Sequence, residues 1–125
     1  MKFQDSQPIF MQIVDWLSDK VLVGELKVDD QFPSVRDIAA QVGVNPNTVM
    51  RAIERLLQAE IIYSQRGKGN YVAEGAREKI LQERRRRFFC EMLPQITDEM
   101  RVLGLTIDDV IEPIRNAVQS ASDKS

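Results

Sequence analysis

From Pro8 to Val23 the apolar residues Ile9, Phe10, Ile13, Val14, Leu17 and Val21 recur three or four positions apart, with Asp15, Ser18 and Asp19 off that stripe. The spacing predicts a helix over 8–23 with one face turned to a core. Pro8 suits its first turn and Gly24 its C-terminal stop. A connector from Glu25 to Phe32 follows. In Pro33-Ser34-Val35-Arg36-Asp37 the hydroxyl of Ser34 stands as N-cap with an acid three residues on. The helix it opens, about 35–42, turns Val35, Ile38, Ala39 and Val42 inward and stops at Gly43. Asn45-Pro46 then opens a third helix, about 46–59, with Asn45 as N-cap and Pro46 at its first position.

That third helix is sharply two-sided. At about 100° per residue, Val49, Met50, Ala52, Ile53, Leu56 and Leu57 share one half, and Asn47, Thr48, Arg51, Glu54, Arg55 and Gln58 the other. Two short helices joined by a Gly-containing turn form a helix-turn-helix pattern. Two β-prone runs follow, Ile61–Ser64 and Asn70–Ala73, around the five-residue loop Gln65-Arg66-Gly67-Lys68-Gly69, and predict a hairpin. A helix-turn-helix followed by a hairpin with a basic tip is a winged helix.

After Gly75 the spacing is helical again from Ala76 to about Leu103. Phe88, Met92, Ile96, Met100 and Leu103 recur at i+4 or i+3, flanked by Phe89 and Leu93. The stripe passes through Pro94. It reads as one long helix kinked there, with a break into two helices as the alternative. A last helix starts at Thr106 as N-cap with Asp109 three on, and Leu105 and Val110 are spaced as a hydrophobic staple. Val110, Ile111, Ile114, Ala117 and Val118 form its apolar face; Pro113 inside it is a local conflict, and the tail from Ser120 is expected to fray. The fold class expected is mostly α with a small β-hairpin: a winged helix-turn-helix over 1–74, then a short two-helix C-terminal region over 75–125.

Composition narrows the chemistry. The 125 residues include no histidine and one cysteine, Cys90. Ser-His-Asp and Cys-His catalysis, His-ligated metals, disulfides within the chain and multi-Cys metal clusters are thereby excluded. Acid pairs such as Asp29-Asp30 and Asp108-Asp109 are adjacent and point different ways, as turn and cap residues do. No enzyme, cofactor or metal is expected. No apolar run approaches the ~20 residues of a spanning helix, and Met1–Pro8 lacks a secretory pattern, so a cytoplasmic location without membrane contact is expected.

A DNA-reading helix needs short polar or cationic side chains near its N-terminal end. Asn47, Thr48 and Arg51 share a face there; Asn can pair with adenine, and Arg with guanine or phosphate. Taken alone, the same residues suit a solvated helix face. At the wing, Arg66 and Lys68 sit among glycines that let the backbone approach phosphate or the minor groove; by itself the loop also suits a simple hairpin turn. A nucleotide-binding loop is excluded there, since the third glycine and a following helix are missing. Arg36 lies in the first turn of the second helix, where free amides also favour phosphate, although taken singly it suits an ordinary exposed surface arginine better. The run Arg84–Arg87 reads as a solvated face paired with Glu78, Glu83 and Glu91, with phosphate contact by one or two of the four as the alternative. Trp16 and the phenylalanines read as core, and Cys90 as an inert buried or interface residue.

The ordered set Pro8–Ile13, Gly24-Glu25-Leu26, Phe32–Arg36, Gly43–Val49 and Arg66–Val72 resembles the DNA-binding domain of GntR-family transcription regulators over residues 8–73. Asn45–Val49 and the short C-terminal part resemble the YtrA subfamily. The resemblance implies operator contacts at Arg36, Asn47, Thr48, Lys68 and Gly69. Many family members carry Arg at the positions of Pro46 and Met50, and Pro-Gly where this chain has Val28-Asp29. Arg51 can replace a missing arginine, though it points about 100° away. The candidate DNA-binding residues are Arg36, Asn45, Asn47, Thr48, Arg51, Arg66, Lys68 and Gly69.

Larger relatives carry a C-terminal ligand-binding domain. The roughly 50 residues after this wing are too few to enclose a ~300 Å³ pocket easily. Pairing with a second chain is the simpler use of their apolar faces, through Phe88, Phe89, Met92, Leu93, Ile96, Met100, Leu103, Ile111 and Ile114. A two-fold homodimer would set two recognition helices ~34 Å apart on an inverted-repeat operator of double-stranded DNA. The resemblance further implies a repressor, often of a transporter operon. The alternative is a winged-helix protein-interaction module that binds no DNA. The net charge of −2 is no obstacle to DNA binding, because residues 34–73 hold five cations and three anions. Binding should rest on a few placed cations, with weak nonspecific affinity.

Overall fold

The computed structural model describes residues 7–123; the signal-peptide reading of Met1–Pro8 falls largely outside them. The chain is mostly helical with one antiparallel hairpin. It forms two compact units, Met1–Glu83 and Arg84–Ser125.

In the first unit, α1 spans Ile9–Leu22, with Pro8 as its N-cap at φ −56° and ψ 148°. Ile13, Val14, Leu17 and Val21 are buried as their spacing requires, and so is Ser18, which the sequence pattern left outside the stripe. At about 100° per residue Ser18 falls beside Val14 and Val21, so its small side chain goes inward with them. Buried Gln12 is satisfied by donating to the Gln7 carbonyl at 2.9 Å.

The second helix, α2, spans Val35–Val42. Ser34 Oγ accepts from the Asp37 N–H at 3.1 Å, as the capping pattern predicts. Gly43 ends α2 at φ +72°, a left-handed conformation that costs glycine least and sets the sharp turn. The third helix, α3, spans Pro46–Gln58, and Asn45 Oδ1 accepts from the Asn47 N–H at 2.8 Å. Its buried residues are Val49, Ala52, Ile53 and Leu56. Met50 is 47% exposed and lies on the open side, because its direction is about 100° from both Val49 and Arg51 and falls at the rim of the buried arc.

The wing consists of β1, Ile62–Gln65, and β2, Gly69–Val72, paired Ile62↔Val72, Tyr63↔Tyr71, Ser64↔Asn70 and Gln65↔Gly69. Because Gln65 and Gly69 pair, the loop is the three residues Arg66-Gly67-Lys68 instead of five. The connector lies along the other edge of β2: the Phe32 N–H donates to the Asn70 carbonyl at 2.7 Å and the Val72 N–H to the Asp30 carbonyl at 3.0 Å. That edge is thereby closed.

The core runs from Ile13 on α1 through Phe32, Ile38, Val49, Leu56, Ile62 and Val72. It also takes in Ala76 and Ile80, 1% and 2% exposed, from the start of α4, Ala76–Arg87. The compact unit therefore continues past the wing to Glu83, where the sequence pattern placed a boundary at residue 74. Trp16 is only half-buried, with the Lys20 ammonium 4.5 Å from its ring centroid.

The second unit holds the end of α4, a π-turn at Phe88–Met92, α5 at Leu93–Leu103 and α6 at Ile107–Asp123. No loop separates α4 from α5. The Leu93 N–H bonds the Phe88 carbonyl five residues back. Pro94 has no N–H for the Cys90 carbonyl, and the wider turn just before it accommodates the ring without ending the helix. Thr106 and Asp109 cap α6: the Asp109 carboxylate accepts the Thr106 N–H at 2.8 Å and its hydroxyl at 3.1 Å, which holds Asp109 below the usual carboxylate range. The helix passes through Pro113 and stays helical to Asp123, beyond the expected fraying point at Ser120. Phe88 and Phe89 are exposed, not core, as are Met92, Leu93, Ile96, Leu103, Ile111 and Ile114, while Met100 is half-buried. Cys90, too, is exposed.

Candidate nucleic-acid interface

The candidate DNA-binding residues occupy three places on the first unit. Arg36 is in the first turn of α2, with Asp37 beside it in that turn. Asn45, Asn47, Thr48 and Arg51 run from the cap through the second turn of α3. Arg66, Lys68 and Gly69 make the wing tip and the first residue of β2. Among the described residues no hydrogen bond or ion pair joins the three groups. All eight are exposed except Thr48, which is half-buried. The Asn45 carbonyl oxygen is committed to its cap, which leaves its amide N–H₂ to donate.

On α3 the buried arc is centred between Ala52 and Ile53, so Asn47, Arg51, Glu54 and Gln58 point most directly away from it. Ion pairs elsewhere join Lys20 with Glu25 at 3.4 Å, Lys79 with Glu60 at 4.0 Å, Arg86 with Glu91 at 2.8 Å, Arg101 with Asp98 at 2.9 Å, and Arg115 with Glu112. Arg36, Arg51, Arg55, Arg66 and Lys68 make no ion pair among the described residues. Their charge is therefore available to an anionic partner. The Arg86–Glu91 pair fits the solvated-face reading of the arginine run.

The wing tip is held by residues that period and propensity did not single out. The Lys68 carbonyl accepts from Gln31 Nε2 at 3.1 Å and from the Tyr71 hydroxyl at 3.3 Å. Gly69 adopts φ +103°, and a β-carbon there would sit 3.5 Å from Gln31 Nε2. At the wing's base the Tyr63 and Tyr71 rings stack at 5.7 Å, and Tyr63 donates to Asp29. That bond to a carboxylate, aided by partial desolvation, pushes the Tyr63 phenol above its ordinary value. The Phe10 ring on α1 lies against Arg51. No sequence signal links Gln31 to Lys68, Asp29 to Tyr63 or Phe10 to Arg51, pairs far apart along the chain.

Residues 11–72 match the family described as bacterial regulatory proteins, gntR family. The chain is 36% identical over 114 residues to the HTH-type transcriptional regulator YhcF of Bacillus subtilis (strain 168), covering 91% of this chain and 93% of that protein. It is 32% identical over 112 residues to the HTH-type transcriptional repressor YtrA of the same organism, covering 90% and 85%. The fold is similar to the crystal structure of a GntR-family transcriptional regulator from Bacteroides thetaiotaomicron, with TM-score 0.73, 33% identity and coverage of 91% and 99%. It is also similar to the DNA-binding domain of AraR in complex with operator ORR3, with TM-score 0.53, 26% identity and coverage of 58% and 88%. No helix among the described residues is long and apolar enough to cross a membrane.

Proposed function

The chain belongs to the GntR family of bacterial regulatory proteins, DNA-binding helix-turn-helix transcription regulators and not enzymes, and on that premise we propose that it is a homodimeric repressor of an inverted-repeat operator. The observation that carries the dimer is the second unit: its π-turn and α5 bury no residue, and most of the apolar side chains from Phe88 to Ile114 stand exposed. A surface of that kind needs a partner, and a second copy supplies the same face by two-fold symmetry. Two copies would bring two α3 helices to successive major grooves of double-stranded DNA, ~34 Å apart.

Within each half-site Asn47, Thr48 and Arg51 would read base edges, with Arg36, Asn45 and the wing residues Arg66, Lys68 and Gly69 on phosphate or minor groove. Repression follows the relative named a repressor, YtrA; a transporter operon as target and a cytoplasmic location belong to the same proposal. Footprinting at moderate salt, together with selection of bound sites from random DNA, tests it. The expected result is a protected pseudo-palindrome with a fixed half-site spacing. A single unrepeated half-site, or no preference over random DNA, rejects the proposal.

A further inference from the structure

The guanidinium carbon of Arg51 lies 4.5 Å from the centroid of the Phe10 ring. We propose that Phe10 is a positioning residue for base recognition: its ring face holds the Arg51 guanidinium so that the planar N–H fork is offered to one base edge. This role rests on Arg51 being a base contact.

Arg51 stands in the second turn of α3, on the outward face shared with Asn47. An arginine there has many rotamers, and ordering it on binding costs affinity. A carboxylate could order it, but only by occupying the donors that a guanine needs. Among the described residues Arg51 makes no hydrogen bond or ion pair, and Glu54, one turn on, does not pair with it. A ring face attracts the cation through its π-cloud and uses none of the five N–H donors. The fork therefore stays open for a bidentate contact with guanine O6 and N7. The half-buried Phe10 belongs to α1, which packs on α3, so the platform is fixed to the same core that fixes the reading helix. Arg55, one turn further along α3, has no such ring and is expected to act as a point charge only.

The test measures base preference at each half-site position of the selected operator for the wild type, Phe10→Leu, Phe10→Tyr, Arg51→Ala, Arg51→Lys and the double variant Phe10→Leu/Arg51→Ala. Phe10→Leu should lower preference at one base pair by about two- to fivefold, the size of an exposed cation–π contact, with other positions unchanged. Phe10→Tyr should retain the preference. Arg51→Lys, which keeps the charge and loses the plane, should lose it. Phe10→Leu should change nothing further once Arg51 is Ala. An equal loss on all sequences, or no loss, in a Phe10→Leu protein that melts normally overturns the proposal. If Arg51→Ala leaves every preference intact, the assignment of Arg51 as a base contact fails and Phe10 falls with it. If Arg51→Ala flattens one position and Phe10→Leu does not, only the role of Phe10 is lost. Should Phe10→Leu not fold, Phe10→Met takes its place with the same expected outcomes.

Discussion

The Tyr63 hydroxyl donates to Asp29 Oδ1 at 2.8 Å, fastening the first strand of the wing to the connector that precedes α2. Asp29 holds φ +70°, one of two non-glycine residues with positive φ among the described residues. Aspartate tolerates that region better than most residues, and here it gains a hydrogen bond in return. The bond raises the Tyr63 phenol, so its contribution to stability is fully present below the ordinary value of 10.0 and is lost as pH rises past it. In a Tyr71→Phe background, which leaves Tyr63 as the single tyrosine, Asp29→Ala should return its ultraviolet titration to the ordinary phenol range. An unshifted titration would show that Asp29 does not hold it.

Lys68→Ala should weaken binding to specific and random DNA alike. The Lys68 backbone is fixed by Gln31 and Tyr71, so the substitution removes an exposed ammonium without reshaping the wing. The slope of log affinity against log salt should fall by about one per subunit. A change in base preference with an unchanged salt slope would contradict a phosphate role.

Ser34→Ala should destabilise the first unit by about 1 kcal/mol, since α2 is only eight residues long and its first turn relies on that hydroxyl. Ser34→Asp should recover most of the loss. Urea unfolding monitored by circular dichroism checks both, and equal stability of all three proteins would count against the cap.

Ile96→Glu places a charge at a residue that is 47% exposed in the single chain. If the second unit pairs two copies, the variant should run as a monomer in light scattering and bind the full operator at least tenfold more weakly, because a buried unpaired charge costs several kcal/mol. A variant that remains dimeric excludes Ile96 from the interface.

The elements were legible because cap, period and turn agree along residues 9–58: Ser34, Asn45 and Gly43 do in the structure what their types suggest. The misplaced details have separate causes. Met50 and Ser18 sit at the edges of their stripes, where apolar character and direction part company and geometry decides. The π-turn was hidden because a proline signals a defect but not how the backbone absorbs it. The wing loop shortened because the Gln65–Gly69 pairing depends on strand register, not composition. The supports of the candidate site, Phe10 under Arg51 and Gln31 on the Lys68 carbonyl, are tertiary contacts between distant residues, to which no spacing rule applies.

The burial of Ala76 and Ile80 in the first unit bears on how such a chain can be recombined. A crossover immediately after the wing would strip two side chains from the core and leave an apolar hole. A crossover beyond Glu83 would carry the helical plug along with the reading head. The winged unit is thereby a cassette with its own stopper, one that can be spliced to unrelated downstream sequence without reopening its interior.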